Sequence, residues 1–137
     1  MITEDFCSFE VAKLLKEKGF DEPCRSYYID SSGRYSRCAV EIRTINCASD
    51  EILRPTHQMA MKWLREVHKL AITVSICNEN NKGNTDYSNP DRWFYFFDIT
   101  NTKGVVIDVK YDPFSNEFPT YEGAVEAAIK YTLENLI

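Results

Sequence analysis

Between Pro55 and Cys77 the spacing of apolar residues switches from a helical period of about 3.6 to a strand period of about 2. "PTHQMAMKWLREVHK" places Met59, Ala60, Trp63, Leu64 and Val67 on one stripe and Lys62, Arg65, Glu66 and Lys69 on the wet side. "LAITVSIC" follows at once, alternating and rich in β-branched residues, as a half-buried strand requires. A chain that passes from helix to strand without a linker must pack helices directly against a sheet.

The remaining elements follow from similar signals. "SFEVAKLLKEKGF" reads as a first helix capped by Ser8 and stopped at Gly19, with Val11, Leu14 and Leu15 buried. In "CRSYYIDSSGRYSRCAVEIRTI" the cluster Asp30–Gly33 turns the chain between two extended arms. Cys38, Val40 and Ile42 are expected inward and Arg37, Glu41 and Arg43 outward. "NENNKGNTDYSNP" (78–90) has no periodicity and reads as a long exposed loop. "DRWFYFFDIT" and "GVVIDVKY" form a hairpin turned at Asn101–Gly104. "TYEGAVEAAIKYTLENLI" is a last helix capped by Thr120 that buries Val125, Ala128, Ile129, Thr132, Leu133 and Leu136. The expected order is α-β-β-α-β-β-β-α. It implies an α+β fold, a single-domain two-layer sandwich over residues 1–137. Its sheet is roughly five-stranded and mainly antiparallel, with three helices mainly on one face.

Composition narrows the function classes. Of 137 residues 44% are hydrophobic and 27% charged, which suits a globular chain rather than a disordered one. No apolar run approaches the roughly 18–20 residues of a membrane span, and "MITEDFCSFE" lacks the basic and apolar regions of a secretory signal. A cytoplasmic location without membrane contact is therefore expected. Five scattered cysteines, an odd number, read as reduced structural thiols. The net charge of −5 argues against a dedicated nucleic-acid binder. Residues 24–77 nevertheless carry eight bases against five acids.

"MITEDF…SFEVAKLLKEKGF", "PTHQMAMKWLREVH" and "TYEGAVEAAIKYTLENLI" together resemble a set of small uncharacterised proteins of Bacteroides and related gut bacteria, often encoded in prophage-like or mobile regions. The likeness covers the three helices, about a third of the chain, while 24–50 and 78–118 look individual to this protein. It implies a mobile-element setting and supplies no catalytic residue. Members often carry valine where Cys7 stands, so the resemblance implies no special role for that thiol.

The residue types that carry chemistry are thinly marked. His57 and His68 share a helix face but lie about 16 Å apart along the axis, too far to hold one metal. The helix is read as a core spine rather than a cofactor box. There is no CxxC, GxGxxG, GxxxxGK[ST] or GxSxG motif. Asp98 and Asp108 share a hairpin and could pair as a general acid, but they are read as solvated strand charge. Cys24 or Cys77 meeting a histidine would make a thiol catalyst, but no spacing demands it. No catalytic residue, cofactor or metal is therefore expected, and the chain is read as non-enzymatic. "RWFYFF" sends Trp93, Tyr95 and Phe97 to one face and Phe94 and Phe96 to the other. Either the strand is covered on both sides or Phe94 and Phe96 mark an interface, with Tyr35, Arg37 and Arg43 of the other hairpin on the same open face. The first expectation is a protein-interaction module, with homodimerisation as one form of it. The alternative is a nucleic-acid accessory factor using Arg25, Arg34, Arg37, Arg43 and Arg65, with Tyr27 or Tyr35 for stacking.

Overall fold

Each helix begins on a hydroxyl. Ser8, Thr56 and Thr120 have extended backbones, and their side chains accept the amide hydrogens of Val11, Met59 and Gly123 at N···O distances of 3.2, 3.2 and 3.0 Å. These caps start α1 (Phe9–Glu17), α2 (His57–Val67) and α3 (Tyr121–Asn135) in the computed structural model, which describes residues 2–44, 47–48, 50–78, 93–107 and 116–137. The Asn-rich segment, apart from Asn78, and Asp108 lie outside the described residues. α1 stops as the sequence requires. Gly19 takes φ +93°, its amide donates to Lys16 O at 3.1 Å, and Phe20 N donates to Leu15 O at 2.9 Å.

The strands are β1 (Cys24–Tyr28), β2 (Tyr35–Ile42), β3 (Ile52–Leu53), β4 (Leu70–Asn78), β5 (Trp93–Asn101) and β6 (Val106–Ile107). The α+β class stands, but the five-stranded sheet is replaced by two three-stranded antiparallel sheets, β2-β1-β3 and β4-β5-β6. The first sheet gains β3, which two residues of sequence could not announce. It pairs with β1 through Tyr27↔Leu53 and Tyr28↔Ile52 and makes β1 central. The chain then leaves that sheet into α2, and β4 starts a new one by pairing along its whole length with β5, from Leu70↔Asn101 to Asn78↔Trp93.

The first hairpin departs from strict alternation. Cys24 faces Ile42 while Ser26 faces Arg37, so β2 spends five steps where β1 spends two. The extra residues bulge, and Val40, expected inside, is 69% exposed. On α2 Ala60, Trp63 and Leu64 of the expected stripe are buried, Met59 is half-buried against the core and Val67 is exposed, while Met61 and His57 are also buried. Every expected position on α3 is buried apart from half-buried Leu136.

The three helices meet in one core built from Cys7, Val11, Leu15, Ala60, Leu64, Val125, Ile129 and Leu133, closed by Trp63 set edge-on against Phe20. A second cluster packs Phe97 and Ile99 of β5 on Ala128, with Phe118 and Tyr131 beside them, so α3 joins both clusters. α1 covers the other sheet through Ala12, Tyr28 and Ile52. The helix-to-strand switch passes through Lys69 at φ +60°, a left-handed conformation that disfavours a side chain. Replacing Lys69 with glycine is expected to raise the unfolding free energy by about 0.5–1 kcal/mol, read from the urea midpoint. An unchanged or lowered midpoint would show that the junction carries no strain.

Candidate functional site

The segment before α1 lies antiparallel to the segment before α2. Cys7 N donates to Pro55 O at 3.0 Å, His57 N donates to Asp5 O at 2.9 Å, and Phe6 bridges Thr56. Cys7 therefore stands just before the α1 cap, and His57 is the first residue of α2. α3 supplies the third member. Glu126 Oε2 lies 2.6 Å from His57 Nε2, and its Oε1 accepts the Ser8 amide hydrogen at 2.9 Å. Burial pushes the Glu126 carboxyl up, but the hydrogen bonds from His57 and Ser8 outweigh it and hold the group below its ordinary value. The carboxylate also sits where two helix N-termini favour negative charge.

Cys7 is wholly buried, and burial pushes its thiol well above the ordinary value. Its sulfur lies 3.9 Å from Thr56 O, and the Tyr28 hydroxyl donates to its carbonyl. Cys24 is pushed up to about 12, chiefly by burial, and Cys47 is also raised. These three thiols stay protonated at neutral pH and are poor nucleophiles. Neither Cys24 nor Cys77 belongs to the group around His57; the cysteine the fold brings there is Cys7. His68 packs edge-on against Trp63 at 4.6 Å, away from that group, in agreement with the helix arithmetic.

Above this cluster, on the other side of Phe6 and Thr56, lies a cleft of about 690 Å³. Arg25, Arg37 and Arg54 line it, with Glu4, Glu41 and Ser26. Arg25 and Arg37 are exposed; Arg37 pairs with Ser26 and shares its face of the sheet, while Arg25 alternates to the other face. Arg54, between β3 and the α2 cap, is held by rings. Its guanidinium carbon is 3.8 Å from the Phe6 centroid and 3.7 Å from that of Tyr35, with Tyr28 at 5.7 Å. Nη1 reaches Ser26 Oγ at 3.4 Å, while Nε is buried with no hydrogen-bond partner among the described residues. None of the three arginines forms an ion pair among the described residues.

The residues singled out in the sequence are divided by this arrangement. Arg37 lines the cleft, and Tyr35, though not a lining residue, stacks on Arg54, which does line it. Arg43 donates to Asp21 O at 3.3 Å and is not among the lining residues. Phe94 and Phe96 are half-buried on β5, in the other sheet, so the expected union of the two hairpins in one sheet face is not found. Arg34 is paired with Asp30 in the turn, and Arg65 is exposed on α2. Arg54 and Phe6 carry no sequence signal of their own, since what distinguishes them is stacking between segments distant in the chain. No family model, curated protein or solved structure matches the chain. Among the described residues no helix is long and apolar enough to cross a membrane.

Proposed function

We propose that the chain is a non-enzymatic protein-interaction module whose Arg25–Arg37–Arg54 cleft takes an acidic segment of a partner protein. The observation that supports this most is Arg54. A guanidinium fixed between two aromatic rings, with a buried donor unmatched and no carboxylate paired to it among the described residues, is preorganised for an incoming anion. Arg37, on the same sheet face as Ser26, adds charge to the cleft. An extended segment also has somewhere to lie. Among the described residues β2 pairs only with β1, leaving its other edge open to strand addition beside Tyr35 and Arg37.

The charge balance favours a protein ligand over a nucleic acid. Glu4 and Glu41 line the same cleft and the whole chain carries −5, so a run of phosphates would meet repulsion. A carboxylate can settle between guanidinium groups while basic residues of the same segment meet Glu4 and Glu41. The mobile-element setting implied by the helical segments belongs to this reading as its biological context.

Fluorescence anisotropy with a labelled Asp/Glu-rich peptide tests it. Arg37→Ala, an exposed change, is expected to weaken binding by about 10-fold, the loss of one charge-assisted contact. Preference for an oligonucleotide, with affinity falling steeply as salt rises, would replace this reading with the nucleic-acid one.

A further inference from the structure

We propose that Cys7, His57 and Glu126 form a site for a divalent transition-metal ion of the zinc type, with the fourth position left to water. The thiol sulfur, an imidazole nitrogen and a carboxylate oxygen all lie within 4.8 Å of one another. A tetrahedral ion bound at about 2.0–2.3 Å sets its ligands about 3.5 Å apart. The 2.6 Å approach of His57 to Glu126 therefore opens by about 1 Å, and the sulfur swings inward, movements within the reach of side-chain rotation.

Three further features suit an ion. The ligands come from three separate segments whose backbones are already fixed: Cys7 N on Pro55 O, His57 N on Asp5 O, and Glu126 within α3. Ser8 N–H holds the carboxylate oxygen that does not face His57, as an outer-shell partner does. One thiolate and one carboxylate supply two negative charges to a dication, which cancels the unfavourable field of the nearby helix N-termini. A sulfur, nitrogen and oxygen donor set selects zinc or cobalt over calcium or magnesium, which prefer oxygen alone.

Access separates this reading from thiol catalysis. Cys7 is closed to solvent, so a substrate cannot reach its sulfur. His57, however, lines a hollow of about 190 Å³ with Asp5, Tyr121 and Glu122, large enough for an ion and its water and acidic enough to draw one in. On binding, the sulfur–metal bond forms as the thiol proton leaves to solvent, the proton on His57 Nε2 passes by way of solvent to Nδ1 and frees the Nε2 lone pair, and the hydrogen bond to Glu126 gives way to two bonds to the ion. A chain with valine in place of Cys7 would lack the sulfur ligand, which makes the site a property of this sequence.

The test is a cobalt(II) titration of the reduced full chain, free of any histidine tag. One equivalent is expected to give the visible bands of a tetrahedral ion and a near-ultraviolet thiolate-to-cobalt band. Zinc should displace it and raise the melting temperature. Cys7→Val, matched in shape to its apolar surroundings, should lose the thiolate band and weaken affinity by more than about 100-fold, since outer-shell partners alone are worth about 10- to 100-fold. Cys47→Ser should leave both unchanged. Absence of the bands in the unaltered chain overturns the proposal whether or not the variants fold. So does a thiolate band that survives in Cys7→Val.

Discussion

Phe97→Ala is expected to lower the unfolding free energy by about 3–5 kcal/mol, a large share of the roughly 5–15 kcal/mol that holds a domain together. Phe97 is fully buried in the middle of β5, with Phe118 at 6.0 Å and Tyr131 at 6.3 Å between ring centroids, and it belongs to the cluster through which α3 grips the second sheet. Truncation leaves a cavity that a strand bonded on one side to β4 and a helix fixed in the other core cannot close. Phe96→Ala removes the same atoms from the opposite face, where the ring is half-buried, and should cost about 1–2 kcal/mol. Urea unfolding of both variants reads the difference. Equal losses would mean that the two faces of β5 are buried alike.

Glu126→Ala is the second large effect, at about 2–3 kcal/mol in the metal-free chain. Its removal leaves the buried His57 ring without its partner and the Ser8 amide without an acceptor, and both donors belong to helix starts that α3 otherwise ties together. A fully buried pair would cost about 3–5 kcal/mol when broken. The Glu126 side chain keeps 27% of its exposure, so water recovers part of that. Glu126→Gln preserves the shape and one hydrogen bond and should lose only about 1 kcal/mol. A loss below about 0.5 kcal/mol for the alanine variant would show that the three helix ends are held by their apolar core alone.

How much of this was legible in the sequence depended on the range of the signal. Ser8, Thr56 and Thr120 cap helices through bonds three residues long, and Gly19 ends one through its own φ, so both ends of α1 could be read locally. β4 and β5 are rich in β-branched and aromatic residues, and they pair along their whole length without a bulge. β3 has two residues and no period to show, yet it takes the second side of β1 in the first sheet. Val40 fits the alternation of β2 and is exposed because the register slips by three positions against β1, a property of the pair rather than of either strand.

The two sites fared differently for the same reason. Tyr35 and Arg37 could be named because outward aromatic and basic residues on a hairpin already suggest a surface. Arg54 looks like any residue before a helix cap until Phe6 and Tyr35 close on it from distant segments. Cys7, His57 and Glu126 are separated along the chain by 50 and 69 positions, and no motif spans such intervals.

The central claim, that the arginine cleft takes an acidic segment, is tested most directly by titrating an Asp/Glu-rich peptide into isotopically labelled protein and following each amide and arginine side-chain resonance. The account predicts saturable shifts at Phe6, Arg25, Tyr35, Arg37 and Arg54, including the Arg54 Nε–H signal, with Phe94 and Phe96 unmoved. Shifts centred on Phe94 and Phe96, with the cleft silent, would contradict it and return the interface to the second sheet.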